Sequence, residues 1–139
     1  AGGDADLGRR LALEVGLARS SLGRRLLFVG KTAVYSAATT VMSGFPREDR
    51  YLSRDAILLI HCRQLQRSVE LSGPLGASRL RLQQILGEIE TGVQLQQEGY
   101  AAIVEGSSVS IDEISTKAEN GWYVRAEEAL ALGLIAGII

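Results

Sequence analysis

The segment AILLI, residues 56–60, constrains the fold more than any other part of this 139-residue chain. It is a continuous apolar run bounded by polar residues, which is typical of a strand buried on both faces. Such a strand needs covering layers on both sides. The rest of the chain supplies them, because short apolar runs alternate with segments of helical periodicity. We therefore expect an α/β fold in which helices are layered over a sheet.

Helical spacing of apolar residues is clearest over 79–105, and a capping-box pattern of Ser110 and Glu113 predicts the start of another helix. The predicted helices are 6–19, 36–43, 79–105, 110–119 and 126–132, and the predicted strands are 25–30, 33–35, 56–60, 122–124 and 134–139. Trp122 and Tyr123 are expected in the core. By length, residues 1–139 are expected to form a single domain.

Composition excludes several classes of function. Hydrophobic residues make up 46% of the chain and charged residues 22%, as in globular proteins. The net charge of −1 gives no electrostatic reason to expect nucleic acid or an anionic membrane as a partner. The apolar runs are too short for a membrane span. One cysteine, Cys62, and one histidine, His61, supply neither a disulfide nor a cysteine or polyhistidine metal site, so we predict no metal and no cofactor.

Ser36 lies where an apolar run gives way to a short helix that closes at Gly44. A serine in that place is most often only a helix cap. The same place suits a nucleophile, because the free N–H groups and the dipole of a helix N-terminus favour developing negative charge. Ser36 alone therefore leaves both interpretations open.

His61 and a glycine pair are the other candidates. His61 directly follows the strand 56–60, so its ring would emerge at the carboxyl end, where α/β sheets usually place their sites. A lone histidine in that position is usually structural. Gly2 and Gly3 can turn their backbone N–H groups toward a ligand at no steric cost, as an oxyanion hole requires.

The order of these features resembles the Clp-type (ClpP-like) serine peptidases, within the wider ClpP/crotonase superfamily. The likeness runs from AGGD at the start through VYSAATTVMSGFPREDRYLSRDAILLIHC to WYVRAEEALALGLIAGI at the end. His61 follows Ser36 by 25 residues, which matches the spacing in that family. The resemblance implies a layered βαβ fold. Because the chain opens inside a motif, we expect the family's N-terminal strands to lie outside this sequence.

The resemblance also implies a mechanism. Ser36 would attack a peptide carbonyl, His61 would act as general base, and the N–H groups of Gly2, Gly3 and Ala37 would form the oxyanion hole. The activity implied is that of a serine endopeptidase, ATP-independent by itself, that hydrolyses peptides or unfolded proteins through an acyl-enzyme.

The third member of the triad is the main departure from the family. The family's aspartate falls on Gly121, which has no side chain. Asn120 is the first candidate to replace it, since an amide can hold a histidine tautomer. Glu119 and Asp112 are the alternatives, and a truly broken triad is a further one.

Partners follow from the same resemblance. It implies a homo-oligomer, with the helix 79–105 as the contact element, although a helix buried in the monomer would show the same pattern. An unfoldase is a candidate partner, and the expected location is the cytoplasm. Two rival functions stay open: a catalytically inactive ClpP-like homologue that acts as an assembly or regulatory subunit, and a crotonase-type acyl-CoA enzyme.

Overall fold

The structure is a computed structural model that describes residues 2–139. The chain combines helices with short strands, as the sequence predicts, and a further strand at 50–52 lies where none was predicted. The elements are α1 (Ala5–Leu22), β1 (Phe28–Gly30), β2 (Ala33–Tyr35), α2 (Ala37–Ser43), a 3-10 turn (Arg47–Asp49), β3 (Arg50–Leu52), β4 (Ile57–Ile60), α3 (Leu75–Val104), α4 (Ile111–Ala118), β5 (Trp122–Arg125), α5 (Ala126–Ala131) and β6 (Gly137–Ile138).

The strands form two three-stranded sheets. One has the order β1-β3-β6 and is parallel throughout. The other has the order β2-β4-β5, with β2 parallel and β5 antiparallel to the central strand β4. Because β2 and β4 are parallel neighbours, their carboxyl ends meet at one edge of the sheet. The residues that follow them, Ser36 and His61, therefore leave the sheet at the same edge.

The core lies around β4 and the helices α4 and α5. Leu58, Ile114 and Ala129 are fully buried there. The segment 56–60 was expected to be buried along its whole length. Instead Leu58 and Ile60 are buried and Ile57 and Leu59 are half-buried, because successive side chains of a strand point to opposite faces.

Two neighbouring aromatic residues have different surroundings. Trp122 is buried, as predicted, and the Lys117 ammonium lies 4.6 Å from its ring centroid. The prediction that Tyr123 belongs to the core is wrong, since its side chain is 61% exposed. It alternates with Trp122 and Val124 along β5 and points out of the core, with its ring edge-on to Tyr35.

Helix α3 has 30 residues, and its buried residues are confined to the last two turns, from Tyr100 to Val104. The apolar side chains of its first two thirds are exposed: Leu75, Leu80, Leu82, Leu86, Ile89 and Val93. The sequence left open whether this helix lies inside the monomer or serves as a contact element. The structure excludes the first alternative for the part before Tyr100.

Arg50 fixes the buried end of α3. Its guanidinium donates to the carbonyls of Phe45 at 2.8 Å, Ile103 at 2.9 Å and Ala102 at 3.0 Å. Burial lowers the pKa of Arg50 to about 10, so the group is still cationic at neutral pH. These hydrogen bonds of Arg50 join the end of α3 to the segment that follows α2. Ser36 is the residue directly before α2.

No helix within residues 2–139 is both long enough and apolar enough to cross a bilayer.

Candidate active site

Ser36 occupies a strained strand-to-helix turn. Its backbone has φ 55° and ψ −115°, a conformation that L-residues other than glycine rarely adopt. Its N–H donates to the Leu59 carbonyl at 2.8 Å, and its carbonyl accepts from the Thr39 N–H at 2.9 Å. The Ser36 hydroxyl makes no capping bond to α2. The hydroxyl is therefore not used as a cap, and a strained strand-to-helix turn of this kind is compatible with a nucleophile.

His61 follows β4 directly, two residues beyond the Leu59 carbonyl that holds Ser36. Its ring is half-buried, and Nδ1 lies 2.7 Å from the carbonyl oxygen of Cys62. No hydrogen bond joins the Ser36 hydroxyl to the His61 ring within the described residues. Catalytic hydrogen bonds are often long before substrate binds, so this arrangement is compatible with a nucleophile and base that close on a substrate.

The predicted oxyanion-hole residues lie around Ser36. A Cβ built on Gly2 would come within 3.3 Å of the Ser36 Cβ and 3.9 Å of its Oγ. The Gly3 position is open, with no atom within 4 Å of a built Cβ. Ala37 is the first residue of α2, where N–H groups have no partner inside the helix. Gly2 and Ala37 therefore lie next to Ser36, and the role of Gly2, Gly3 and Ala37 as oxyanion donors stays a prediction.

A wide cleft of about 1100 Å³ connects these residues. Gly3, Ser36, Ala37, His61 and Cys62 all line it, together with one side of α1 and the second half of α3. This volume exceeds that of a typical small-molecule pocket.

Ion pairs join the walls of the cleft. The Arg63 guanidinium pairs with Asp6, so the segment after His61 is tied to the start of α1. Arg9 pairs with Glu98 at 3.2 Å and ties α1 to α3. Most of these side chains are well exposed, so each pair contributes little stability. Their effect is to place both signs of charge along the mouth of the cleft.

The candidates for the third catalytic residue are Asn120, Glu119 and Asp112. Asn120 and Glu119 are exposed in the turn before β5, and Asp112 is exposed on α4. None of the three bonds to His61 within residues 2–139. The role predicted for Asn120 stays a prediction that this conformation does not favour.

Gly121 lies where the missing carboxylate would be expected. The last pair of the β4–β5 ladder is Ile60 with Trp122, so the next residues in register are His61 and Gly121. Gly121 has φ +78°, and a Cβ built on it would lie 3.4 Å from Leu59 Cδ1. A side chain at position 121 would therefore begin in contact with Leu59, two residues before His61.

Cys62 directly follows His61, and neighbouring residues in a regular strand would point to opposite faces. Cys62 is half-buried, and both residues line the cleft. The Tyr100 hydroxyl lies 3.7 Å from its sulfur and donates to it, and burial raises the pKa of Tyr100.

Sequence reasoning missed Gln96 and the Cys62 carbonyl. Gln96 accepts a hydrogen bond from the Arg63 N–H at 2.6 Å. The available signal was its place on α3, one helical turn before Tyr100 and two before Ile103, on the side that packs inward. No sequence pattern marks a main-chain carbonyl.

Comparison with known proteins bears on the fold. A scan against protein-family models finds no match, and a search of curated proteins finds none either. Among solved structures, a mutant of ClpP1 from Listeria monocytogenes is similar with a TM-score of 0.74 at 19% sequence identity. The alignment covers 99% of this chain and 68% of the ClpP1 chain. At that identity the likeness concerns the fold, and the resemblance expected from the sequence motifs is confirmed at that level: this chain has a ClpP-like α/β fold.

Proposed function

We propose that this protein is a serine peptidase that hydrolyses peptide bonds with Ser36 as nucleophile and His61 as general base. The observation that carries the proposal is the Ser36 turn. A non-glycine residue stays at φ 55° only where the surrounding structure imposes it, and such strain concentrates at functional sites. Within residues 2–139, Thr32 and Ser36 are the non-glycine residues with positive φ. Ser36 is the one that follows β2 at the edge of the sheet where His61 follows β4.

The proposed reaction runs in two halves. The Ser36 oxygen bonds to the peptide carbonyl carbon while His61 takes the hydroxyl proton. The N–H groups near Gly2, Gly3 and Ala37 stabilise the oxyanion. The C–N bond then breaks, His61 gives its proton to the leaving amine, and an acyl-enzyme is left. Water, deprotonated by His61, then attacks the acyl carbon. The ester C–O bond breaks, the acid leaves, and His61 returns its proton to the Ser36 oxygen, which restores both residues.

A fluorophosphonate probe tests this chemistry directly, because it labels activated serines covalently. Wild-type protein is expected to be labelled at Ser36, while Ser36→Ala and His61→Ala abolish labelling. Ser43→Ala is the matched control: Ser43 is a second serine on the same cleft, with its hydroxyl bonded to the Thr40 carbonyl at 2.6 Å. Labelling that survives either of the first two substitutions contradicts the proposal.

The second candidate is an inactive homologue that acts in assembly or regulation. It is favoured by Gly121, which leaves the position opposite His61 without a carboxylate. No labelling of the folded wild type, together with oligomer formation, would establish this candidate. No described feature supports the acyl-CoA alternative.

We further propose that the protein forms a homo-oligomer through the first two thirds of α3. Apolar side chains exposed together along one helix are the usual mark of an interaction surface. The extended segment before α3 adds exposed Leu65, Val69 and Leu71 to this surface. Sedimentation of a Leu82→Glu, Leu86→Glu variant is expected to show a smaller species than the wild type. Glu127→Gln, an exposed change on α5, is the control and leaves the mass unchanged.

The substrate class proposed is a peptide or an unfolded protein, in keeping with the wide cleft. An unfoldase partner and a cytoplasmic location stay predictions from the sequence resemblance.

A further inference from the structure

The peptide group between Cys62 and Arg63 is hydrogen-bonded at both ends. Its carbonyl oxygen lies 2.7 Å from His61 Nδ1. Its N–H, on Arg63, donates to Gln96 Oε1 at 2.6 Å. A single peptide plane therefore connects a side chain of α3 to the imidazole of the proposed base.

The direction of the His61 bond follows from the chemistry of its acceptor. A carbonyl oxygen has no proton to give, so Nδ1 must carry the hydrogen and donate it. In the neutral ring the lone pair then lies on Nε2, where a general base needs it. In a Ser-His-Asp triad the carboxylate fixes this tautomer. Here the Cys62 carbonyl makes the same contact.

Other contacts hold the Cys62 residue around that peptide group. The Cys62 N–H donates to the carbonyl of Ala118 at 3.3 Å, and the Tyr100 hydroxyl donates to the Cys62 sulfur at 3.7 Å. The N–H of the Cys62–Arg63 peptide group itself is bonded by Gln96. A peptide group that donates at its N–H is polarised and accepts more strongly at its oxygen. Gln96 therefore both orients the Cys62 carbonyl and strengthens it as an acceptor.

We propose that Gln96 is a positioning residue that acts through the Cys62–Arg63 peptide group, holds His61 in the tautomer of a general base and replaces the missing third acid. The catalytic meaning of this assignment rests on the proposed function. The tautomer of His61 does not, so the two can fail separately.

The ring tautomer is directly measurable, because His61 is the single histidine of the sequence. Protein labelled with ¹⁵N-histidine and free of a histidine tag gives one pair of ring nitrogen resonances. At a pH where the ring is neutral, the wild type is expected to carry its ring proton on Nδ1. In Gln96→Ala the signals shift toward a mixture of both tautomers, while Gln96→Glu, which keeps an acceptor oxygen, retains the wild-type pattern. A wild-type ring protonated at Nε2, or a Gln96→Ala spectrum equal to the wild type, overturns the proposal.

Rates of fluorophosphonate labelling and of peptide hydrolysis supply the functional readout. Loss of one neutral hydrogen bond predicts a kcat about fivefold lower in Gln96→Ala, with an unchanged KM. Gln96→Glu is expected within about twofold of wild type on the same grounds. Gln94→Ala is the matched control on α3, because Gln94 is exposed and bonds only Glu98, at 3.3 Å. Absence of labelling in every form overturns the proposed function while the spectra still decide the positioning role. Normal labelling kinetics in Gln96→Ala overturns the positioning role alone.

Discussion

Ser36 and His61 lie at the ends of neighbouring strands, and the two side chains are held in different ways. Ser36 is fixed by its own backbone, which is strained and bonded on both sides to Leu59 and Thr39. The His61 ring is fixed from outside, by a carbonyl of the following residue and, through it, by Gln96. A nucleophile held by backbone geometry depends on the fold. A base held by neighbouring groups depends on which groups the sequence supplies, and here no acid is among them.

The largest effect is expected from Ser36 itself. Ser36→Ala and Ser36→Gly should both reduce hydrolysis on the order of 10⁶-fold, since removing a nucleophile eliminates the acyl-enzyme route. The two variants should differ in stability. Glycine adopts φ 55° without strain, so Ser36→Gly should be more stable than Ser36→Ala by about 1 kcal/mol.

Urea unfolding measures that difference, with peptide hydrolysis measured on the same samples. Equal stability of the two variants would show that the turn is not strained. Wild-type hydrolysis in either variant would remove Ser36 from the mechanism.

The second-largest effect is expected when a carboxylate is introduced near His61. Gly121→Asp places a carboxylate opposite His61 in the β4–β5 register and is expected to raise kcat about tenfold, because an acid partner stabilises the imidazolium that forms. The same carboxylate favours the charged ring. The acid limb of the pH–rate profile should therefore move to higher pH in this variant.

Gly121→Ala is the control that separates the expected rise in kcat from the effect of backbone strain at position 121. Position 121 has φ +78°, so both substitutions should lower the free energy of unfolding by about 1 kcal/mol. Only the aspartate variant should gain activity. An equal change in kcat for both variants would assign the effect to the backbone and would leave His61 without need of an acid.

The glycine pair tests how closely the N-terminal segment packs against Ser36. Gly2→Ala brings a methyl group within 3.3 Å of the Ser36 Cβ, so the segment must shift away. The expected loss in kcat is about fivefold, short of the roughly 10²-fold that follows removal of an oxyanion-hole donor. Gly3→Ala meets nothing within 4 Å and keeps its N–H, so it should stay near the wild-type rate. Steady-state kinetics of both variants decide this, and equal rates for the two would mean that the Gly2 contact has no catalytic part.

Ser36 is held by its local backbone and His61 by groups distant in the chain, and this difference also explains which parts of the molecule the sequence could predict. The Ser36 turn, the strand before His61 and the Ser110 cap were predictable, because each depends on local residue types; Ser110 Oγ indeed accepts from the Glu113 N–H at 3.1 Å. The exposure of α3 was not, because apolar periodicity is the same for a helix that packs in the core and one that packs on a partner. The hold on His61 was not predictable either, because it runs through a main-chain carbonyl and a glutamine 35 residues further along the chain.

The smallest expected effect concerns Asn120, the residue that the sequence predicts as the replacement for the acid. Its side chain is exposed, with no hydrogen bond to His61 among residues 2–139. If the Cys62 carbonyl orients the ring, Asn120→Ala should change kcat by less than about twofold, because an exposed substitution without a partner alters little. If Asn120 moves onto Nδ1 when substrate binds, the same variant should lose at least as much activity as Gln96→Ala. Measuring kcat for both variants under the same conditions therefore shows whether the Asn120 amide or the Cys62 carbonyl orients the His61 ring. If Asn120→Ala lowers kcat more than Gln96→Ala does, the third catalytic role belongs to Asn120, in the turn before β5.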